Sequence, residues 1–247
     1  MATQRRLFVQ RPPDPAAEAG PLPLSDDEQH YARHVLRLGD GDTVTLADGT
    51  GHLAPAVLRL GPGKTCTVQP TGPFERSSSL HHAPKLVLAC PMPKGERADW
   101  MAEKVAELGV YAWVWVVCDR SVVRPKGTHK PERMLRLMRA AARQARHGRI
   151  PKLLGPIPLM DHLKEVQAGP PSGRFVADAE GMSAADALSA APGAVRQLLI
   201  GPEGGLTPDE LRAAQGAGYG RLTLGPHILR VETAAIACTV LMSQTTR

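Results

Sequence analysis

The sequence predicts an α/β protein in which a small β-rich segment precedes a parallel sheet covered by helices. After residue 84, short apolar strands alternate with helices, which is typical of parallel sheets with right-handed crossovers. Before residue 73, several short strands accompany one helix, which indicates a small β-barrel. Near the C-terminus, two apolar strands run directly into glycine-rich turns, and such turns often bind ligands in α/β proteins.

Composition is that of a globular chain. Of its 247 residues, 43% are hydrophobic, but no apolar stretch is long enough to span a membrane, and the N-terminus has no apolar targeting segment. Cys66, Cys90, Cys118 and Cys238 are scattered without a Cys-x-x-Cys pair, so we expect reduced, mostly buried thiols and no disulfide framework. We therefore expect a cytoplasmic protein with no metal site and no membrane contact.

The net charge of +6 is unevenly distributed along the chain. Residues 1–75 hold 7 Lys and Arg against 9 Asp and Glu, whereas the remainder holds 23 against 15. A basic second part suggests a polyanionic partner, although charge of one sign also serves solubility.

Residues 1–72 are predicted to form the first domain. Its expected strands are residues 6–10, 42–47, 52–60 and 64–69, and residues 11–23 are expected to be a loop. A capping box from Ser25 to Glu28 begins a helix that should run to about Leu38. Arg33 and Arg37 share one face of this helix, which is either a solvated face or an RNA or domain interface.

Residues 73–84, rich in Ser, His and Pro, are predicted to link the first domain to a second one at residues 85–247. A helix is expected from Glu96 to Leu108, ended by Gly109. The expected strands of the second domain are residues 85–90, 112–118, 174–178, 196–200 and 221–224.

Basic residues concentrate between Arg120 and Lys152, where eleven Lys or Arg accompany one acid, Glu132. Residues 131–146 are predicted to be a helix with an apolar seam opposite an arginine stripe. The stripe consists of Arg136, Arg139, Arg143 and Arg146. A solvated face is the usual explanation, but aligned guanidinium groups without acids repel one another, which favours phosphate binding.

The two glycine turns are predicted to form one site from adjacent loops. The first, Gly201–Gly205, precedes a helix start with Thr207 as N-cap, Pro208 at the first position and Glu210 in a capping box. The second begins at Gly225. Neither has the lysine of a P-loop or the spacing of a dinucleotide fingerprint. Two tight αβ turns remain the simpler explanation for glycines alone.

Three charged residues favour a function for these turns. Glu203 lies in a turn that needs no carboxylate, and Arg230 and Glu232 lie among apolar residues. Charges in apolar surroundings are costly unless they are paired or used. Each glutamate could also serve structure, by capping loop amides or a helix N-terminus.

The runs Leu-Ile-Gly-Pro-Glu-Gly-Gly-Leu and Leu-Gly-Pro-His-Ile-Leu-Arg-Val-Glu-Thr-Ala resemble those of the RsmE-type methyltransferases of the SPOUT superfamily. The resemblance extends to residues 33–37, 94–97 and 107–109. It implies a SPOUT-type parallel sheet with a C-terminal trefoil knot, preceded by a PUA-like RNA-binding β-barrel. It also implies a homodimer that methylates N3 of a uridine in small-subunit (16S) ribosomal RNA with S-adenosylmethionine.

The resemblance assigns roles to individual residues. The knot loops would hold S-adenosylmethionine through the residues Leu199, Ile200, Gly201, Gly204, Leu224, Gly225, Ile228 and Leu229. Arg33, Arg37 and Lys94 would join the arginine stripe in binding RNA.

Methylation of a uracil nitrogen requires that the imino proton leave and that charge on the ring oxygens be stabilised. We expect Arg230 to orient the substrate, and Glu232 or Glu203 to act as the base or to orient the loop.

The sequence departs from the family pattern at residues 143–147, His227 and Val231, which leaves the RNA contacts and the loop's side-chain roles open. A superfamily enzyme acting on another RNA, and a non-catalytic RNA-binding or ribosome-assembly protein, are the alternatives.

Overall fold

The computed structural model describes residues 5–11, 20–62, 65–80, 83–124, 129–169, 173–189 and 195–244. Parts of the predicted N-terminal loop (12–19), linker (81–82) and basic region (125–128) lie outside these residues. The chain divides into two compact units. The first unit comprises Met1–His81 and Ala142–Ile150, and the second comprises His82–Ala141 and Pro151–Arg247.

The first unit contains a six-stranded sheet in the order β1-β3-β4-β5-β2, with β6 paired to β4. Its strands are β1 (Arg6–Phe8), β2 (Leu22–Pro23), β3 (Thr43–Ala47), β4 (His52–Leu60), β5 (Cys66–Pro70) and β6 (Glu75–Arg76). β1 pairs with β3 in parallel, and the other pairs are antiparallel. Leu7, Leu46, Leu58 and Val68 are fully buried, so alternate strand residues form one core.

The helix of the first unit is shorter than predicted. α1 spans Asp26–His30, capped by Ser25, and continues as a widened π-helical turn over Tyr31–Val35. The Leu36 N–H donates to the Tyr31 carbonyl over 2.9 Å, which is the i to i+5 bond of such a turn. Arg37 follows with φ of 55°, so it lies beyond the helix, and the predicted helical face shared with Arg33 does not form.

A buried carboxylate fixes the core of the first unit. Glu28 is almost fully buried, and its Oε2 accepts a hydrogen bond of 2.9 Å from the Phe8 N–H. Its Oε1 forms an ion pair with Arg143, whose guanidinium carbon lies 3.8 Å from the centroid of the Tyr31 ring. Because a buried carboxylate needs such partners, this pair holds residues 142–150 in the first unit.

The second unit contains a six-stranded, fully parallel sheet in the order β12-β10-β11-β7-β8-β9. Its strands are β7 (Lys85–Cys90), β8 (Ala112–Val117), β9 (Lys152–Pro158), β10 (Gly173–Met182), β11 (Val195–Leu199) and β12 (Gly220–Leu222). The parallel α/β arrangement is confirmed. The sequence missed β9, whose apolar run is broken by Gly155 and Pro156.

The helices of the second unit cover both faces of the sheet. They are α2 (Glu96–Glu107), α4 (Leu159–Ala168), α5 (Ala184–Ser189), α6 (Pro208–Gly216) and α7 (Val231–Ser243). A further helix, α3 (His129–Gln144), begins in the second unit and ends in the first, to which Ala142 and the following residues belong. α2 packs against α7, which contacts β7 and β11, whereas α4 and α6 pack together in the cluster that contains Val114 and Val116. Since side chains alternate along a strand, Trp113 and Trp115 face the other side. α3 ends at Gln144, two residues before the predicted end, and Arg146 lies outside it with φ of 63°.

Strand order dictates the path of the last loop. β12 lies at the sheet edge, yet the α7 that follows it packs on β7 and β11. Residues 223–230 must therefore pass the carboxyl ends of β10 and β11. Three strand spacings amount to roughly 14 Å, and the eight residues of the loop can reach about 27 Å when extended. The loop is therefore long enough to pass from β12 to α7 and to include a turn.

No helix among the described residues has the length and apolarity to cross a membrane. No group of three or more His, Cys, Asp or Glu side chains among them is arranged to hold a metal ion.

Replacing Glu28 by Gln should destabilise the first unit, because the Arg143 guanidinium would stay buried without a counter-charge. We expect a loss of about 3 kcal/mol in the free energy of unfolding. The matched control is Asp40→Asn, which removes the charge from an exposed ion pair with Arg59 of 3.8 Å, and which should cost less than about 1 kcal/mol. Urea unfolding of both variants measures the difference, and equal losses would contradict the role given to Glu28.

Candidate functional site

The first glycine turn follows β11 and exposes its backbone. Gly205 has φ of 69°, a conformation that favours glycine, and its N–H donates to the Pro202 carbonyl over 2.8 Å. A Cβ on Gly201 would lie 3.1 Å from Leu206 Cγ and 3.2 Å from the Leu206 nitrogen. The Arg120 Nη1 donates to the Gly204 carbonyl over 2.8 Å. The turn is therefore tight, and a side chain at Gly201 would push it open.

A buried glutamate anchors this turn to the loop after β8. Glu210 and Thr207 form the predicted capping box at the start of α6. The Glu210 Oε2 accepts from the Thr207 N–H over 2.8 Å, and its Oε1 accepts from the Asp119 N–H over 2.9 Å. The predicted helix start is confirmed, and its carboxylate also fixes the neighbouring loop.

The thiol nearest to this anchor is inert. Burial, reinforced by the charge of Glu210, raises the pKa of Cys118 to about 12. Burial likewise raises the pKa of Cys90 well above its ordinary value. Neither cysteine is suited to act as a nucleophile at neutral pH.

The second glycine turn presents apolar side chains to solvent. Gly225 has φ of 114°, and the Thr223 hydroxyl bonds to its backbone. Ile228 is fully exposed and Leu229 is half-buried. Arg230 is exposed and precedes α7, where its carbonyl accepts the first helical hydrogen bond from Ala234 over 2.8 Å. This loop offers an apolar surface beside a cation.

β10 lies between β11 and β12, so the two glycine turns follow strands that are not neighbours, and the prediction of adjacent loops is wrong in that respect. All three strands end at the same edge of the parallel sheet, however. The second loop also runs past the end of β11, so both loops serve the carboxyl edge at which ligands bind in such sheets.

A cavity of about 320 Å³ lies where α2 meets the start of α7. Its lining residues are Glu96, Arg97, Trp100, Arg230, Glu232 and Thr233. The structure thus brings together two of the three predicted catalytic residues. Glu203 is exposed on the first turn and is not among the residues that line this cavity. Its chemical role stays a prediction.

Glu232 is the most unusual group in the cavity, because it is only 6% exposed. Its Oε1 lies 3.7 Å from the Arg97 Nε, beyond normal hydrogen-bond length. Among the residues that the structure describes, none donates a hydrogen bond to its buried Oε2. Since a buried carboxylate oxygen without a donor is costly, Glu232 is poised to accept a hydrogen bond from a ligand.

Four lining residues were missed as site candidates, namely Thr233 of α7 and three residues of α2. Glu96 and Arg97 belong to a run that the family resemblance contained, and Trp100 lies one turn further along α2. Helical spacing of three and four residues would have placed them on one face. Sequence spacing carried no sign that this face lies beside Glu232.

The residues predicted to bind RNA differ in their exposure to solvent. Arg37, Lys94, Arg136 and Arg146 are exposed, whereas Arg33 and Arg139 are half-buried. Arg143 is held by Glu28 and Tyr31 inside the first unit. The arginine stripe is therefore not a uniform solvent-facing row.

A larger cavity of about 720 Å³ lies between α4 and the sheet. It is lined by apolar residues such as Val87 and Val114, with His162 and Gln197 as polar neighbours. Burial lowers the pKa of His162, so the imidazole is kept neutral. No residue of either glycine turn lines this cavity, and we do not place the candidate site there.

The fold and the glycine loops define an α/β protein with a candidate ligand site at the carboxyl edge of a parallel sheet. Residues 81–243 match the model of the RNA methyltransferase domain, and residues 24–71 match that of the RNA methyltransferase PUA domain. The chain belongs to this RNA methyltransferase family, which confirms the resemblance read from the glycine turns.

Several relatives are named ribosomal RNA small subunit methyltransferase E. The protein of that name from Bacillus subtilis is 27% identical over 244 residues, covering 94% of this chain and 93% of its own length. That from Mycobacterium bovis is 33% identical over 159 residues, which is 62% of this chain. The match spans 60% of the length of the M. bovis protein.

Solved structures share the fold of the whole chain. A methyltransferase from Legionella pneumophila, in complex with S-adenosylmethionine, has a TM-score of 0.81 and 27% identity over 98% of this chain and 97% of that chain. A ribosomal RNA small subunit methyltransferase E from Neisseria gonorrhoeae, bound to S-adenosylmethionine, has a TM-score of 0.80 and 25% identity over 97% and 96% of the chains.

Replacing Gly201 by Ala should open the first turn. Because the added Cβ would press on Leu206 backbone and side-chain atoms at 3.1–3.2 Å, we expect a loss of about 1–3 kcal/mol in unfolding free energy. The control is Gly216→Ala, where a Cβ meets nothing within 4 Å in α6, and where stability should rise slightly because alanine favours the helix. We expect the melting temperature to fall in Gly201→Ala and to rise slightly in Gly216→Ala. Unchanged stability in Gly201→Ala would contradict the tight turn.

Proposed function

We propose that this protein transfers the methyl group of S-adenosylmethionine to N3 of a uridine in small-subunit (16S) ribosomal RNA. The observation that carries the proposal is the buried carboxylate of Glu232 beside Arg230, because its Oε2 accepts no hydrogen bond from the described residues; it lies at the sheet edge where both glycine loops lie. Family membership and the names of the relatives agree with it.

The residues of the two loops fit the methyl donor. Leu199 and Ile200 are buried at the end of β11, so they would offer backbone groups rather than side chains. Gly201, Gly204 and Gly225 keep side chains out of the way. In the second loop, Leu224 and Leu229 are half-buried and Ile228 is exposed, which suits packing against an adenine ring. The bound donor supplies an electrophilic methyl group.

Glu232 and Arg230 would accept the imino proton and stabilise the negative charge of the uracil ring. In the proposed reaction, a carboxylate of the protein would accept the imino proton of uracil as the ring nitrogen forms its bond to the methyl carbon. The methyl–sulfur bond of the donor would break, and S-adenosylhomocysteine would leave. Glu232 is the preferred acceptor, because its Oε2 has no donor, and Glu203 is the alternative on the first turn. The Arg230 guanidinium would stabilise the negative charge that spreads onto the ring oxygens.

The architecture of the family is proposed to hold here in full. The passage of residues 223–230 past the ends of β10 and β11 supports a C-terminal trefoil knot. We further propose a homodimer, for which exposed Val240 on the apolar helix α7 is the supporting feature. A PUA-like RNA-binding barrel at 1–72, a linker at 73–84 and a methyltransferase domain at 85–247 complete the organisation, except that residues 142–150 join the first unit.

Ribosomal RNA, free or within the small subunit, is the proposed partner. Arg37, Lys94, Arg136 and Arg146 are the exposed cations best suited to contact phosphates. Arg33 and Arg139 would contribute through the part of each side chain that is exposed, and Arg143 would act by holding residues 142–150 in place. Such an enzyme would work in the cytoplasm.

The direct test is transfer of labelled methyl groups from S-adenosylmethionine to ribosomal RNA purified from cells that lack this protein. Nuclease digestion and mass spectrometry should find 3-methyluridine at one site of the small-subunit RNA. Methylation of transfer RNA or large-subunit RNA alone would favour another substrate. RNA binding without transfer would favour an assembly protein.

Arg230→Ala should abolish most turnover while leaving donor affinity nearly intact, because Arg230 is exposed and reaches into the cavity rather than supporting the turn. Loss of a group that stabilises developing charge typically costs about 100-fold or more in kcat. Single-turnover methylation, calorimetry with S-adenosylmethionine and thermal melting on the same variant measure the three quantities.

The control for this variant is Arg212→Ala, which removes an exposed arginine of α6 from its ion pair with Asp209. It should leave turnover unchanged. If Arg230→Ala instead lowered donor affinity and melting temperature together, Arg230 would be a structural pin of the loop.

A further inference from the structure

One aromatic ring stands out in the cavity beside Glu232. The chain has three tryptophans, and Trp113 and Trp115 are 0% and 6% exposed in the sheet. Trp100 is 45% exposed on α2, where its side chain lines the cavity together with Arg97 and Glu232. An indole left this open at a polar cavity offers a flat apolar face to a ligand.

The polar groups around that ring define the chemistry of the ligand. Arg97 and Arg230 present hydrogen-bond donors, while Glu232 presents an acceptor whose Oε2 lacks a donor. Uracil carries the complementary edge, an imino N–H between two carbonyl oxygens. A base that offers this edge to the charged groups can lay its face against a neighbouring aromatic ring.

We propose that Trp100 is the residue on which the target base stacks, with the imino edge of the base directed at Glu232. The assignment rests on the proposed function and names the residue that would contact the target base by stacking. Arg97, at 3.7 Å from the Glu232 Oε1 and one helical turn from Trp100, is the positioning residue that keeps the carboxylate turned toward the base.

Local geometry supports a joint role for these residues. Glu96, Arg97 and Trp100 lie within one turn at the start of α2, directly after the carboxyl end of β7. β7 neighbours β11, which carries the first glycine turn. A base held over Trp100 would thus lie at the same edge of the sheet as the proposed methyl donor. Bases taken out of an RNA strand are commonly held by stacking on aromatic side chains.

The test compares Trp100→Ala, Trp100→Phe and wild-type protein in methyl transfer to small-subunit RNA. Removing a stacking ring should lower kcat/KM roughly 5- to 150-fold, and Phe should restore most of the loss because it keeps a flat ring. Affinity for S-adenosylmethionine and melting temperature should stay unchanged. Met160→Ala is the control, since Met160 has a similar exposure of 47% on α4 and does not line this cavity.

A second measurement uses the exposure of the ring. The solvent-exposed part of the tryptophan fluorescence is the part that acrylamide quenches. Uridine 5′-monophosphate, added to protein saturated with S-adenosylhomocysteine, should quench this part, and the Trp100→Phe variant should lose that response. The 3-methyl derivative of the nucleotide, which has no imino proton to give to Glu232, should bind more weakly.

The outcomes separate this inference from the proposed function. If wild-type protein transfers no methyl group to small-subunit RNA, the function fails, and the fluorescence titration still decides whether Trp100 binds uracil. If the wild type is active and Trp100→Ala matches it, stacking is refuted while the function stands. A loss of activity that coincides with a smaller mass in sedimentation would instead assign Trp100 to self-association and overturn the inference.

Discussion

The path of the chain after β12 is the constraint on which the site depends. β12 forms the outer edge of the parallel sheet, but α7 packs on β7 and β11 near its middle. The connecting residues therefore run along the carboxyl ends of β10 and β11, which brings Arg230 and Glu232 to the start of α2. The two glycine loops would contribute differently to the proposed site, because the first offers an open backbone and the second offers apolar and charged side chains. The packing of α7 on β7 and β11 fixes where the second loop ends.

Glu28 and Glu232 are both buried, but they differ in their hydrogen-bond and ion-pair partners. Glu28 is paired with Arg143 and accepts from the Phe8 N–H, so both of its oxygens are satisfied and it serves stability. Glu232 is almost as deeply buried, yet its Oε1 lies 3.7 Å from the Arg97 Nε, and its Oε2 has no hydrogen-bond donor within the described part of the chain. A satisfied buried carboxylate favours the fold, whereas an unsatisfied one is costly until a ligand supplies a donor. That difference favours Glu232 over exposed Glu203 as the chemical group.

The sequence predicted the parallel sheet and the glycine turns well, because apolar strands, capping boxes and glycines are local signals. It missed β9 because Gly155 and Pro156 interrupt the apolar run, and pairing with β8 across a register shift supplies what local propensity lacks. It placed Arg143 on an exposed stripe because helical spacing carries no sign of Glu28, which lies 115 residues away in sequence. Trp100 was not predicted as a site residue for the same reason, since its exposure depends on which elements pack beside α2.

Amide hydrogen exchange tests most directly whether S-adenosylmethionine binds to both glycine loops. Exchange is measured on the whole protein with and without S-adenosylmethionine, in the absence of RNA. The account predicts slowed exchange in residues 200–206 and in residues 223–230 together, because one ligand contacts both loops. Protection confined to one loop, or found instead around residues 154–157 and 162–169 at the larger cavity, would contradict it.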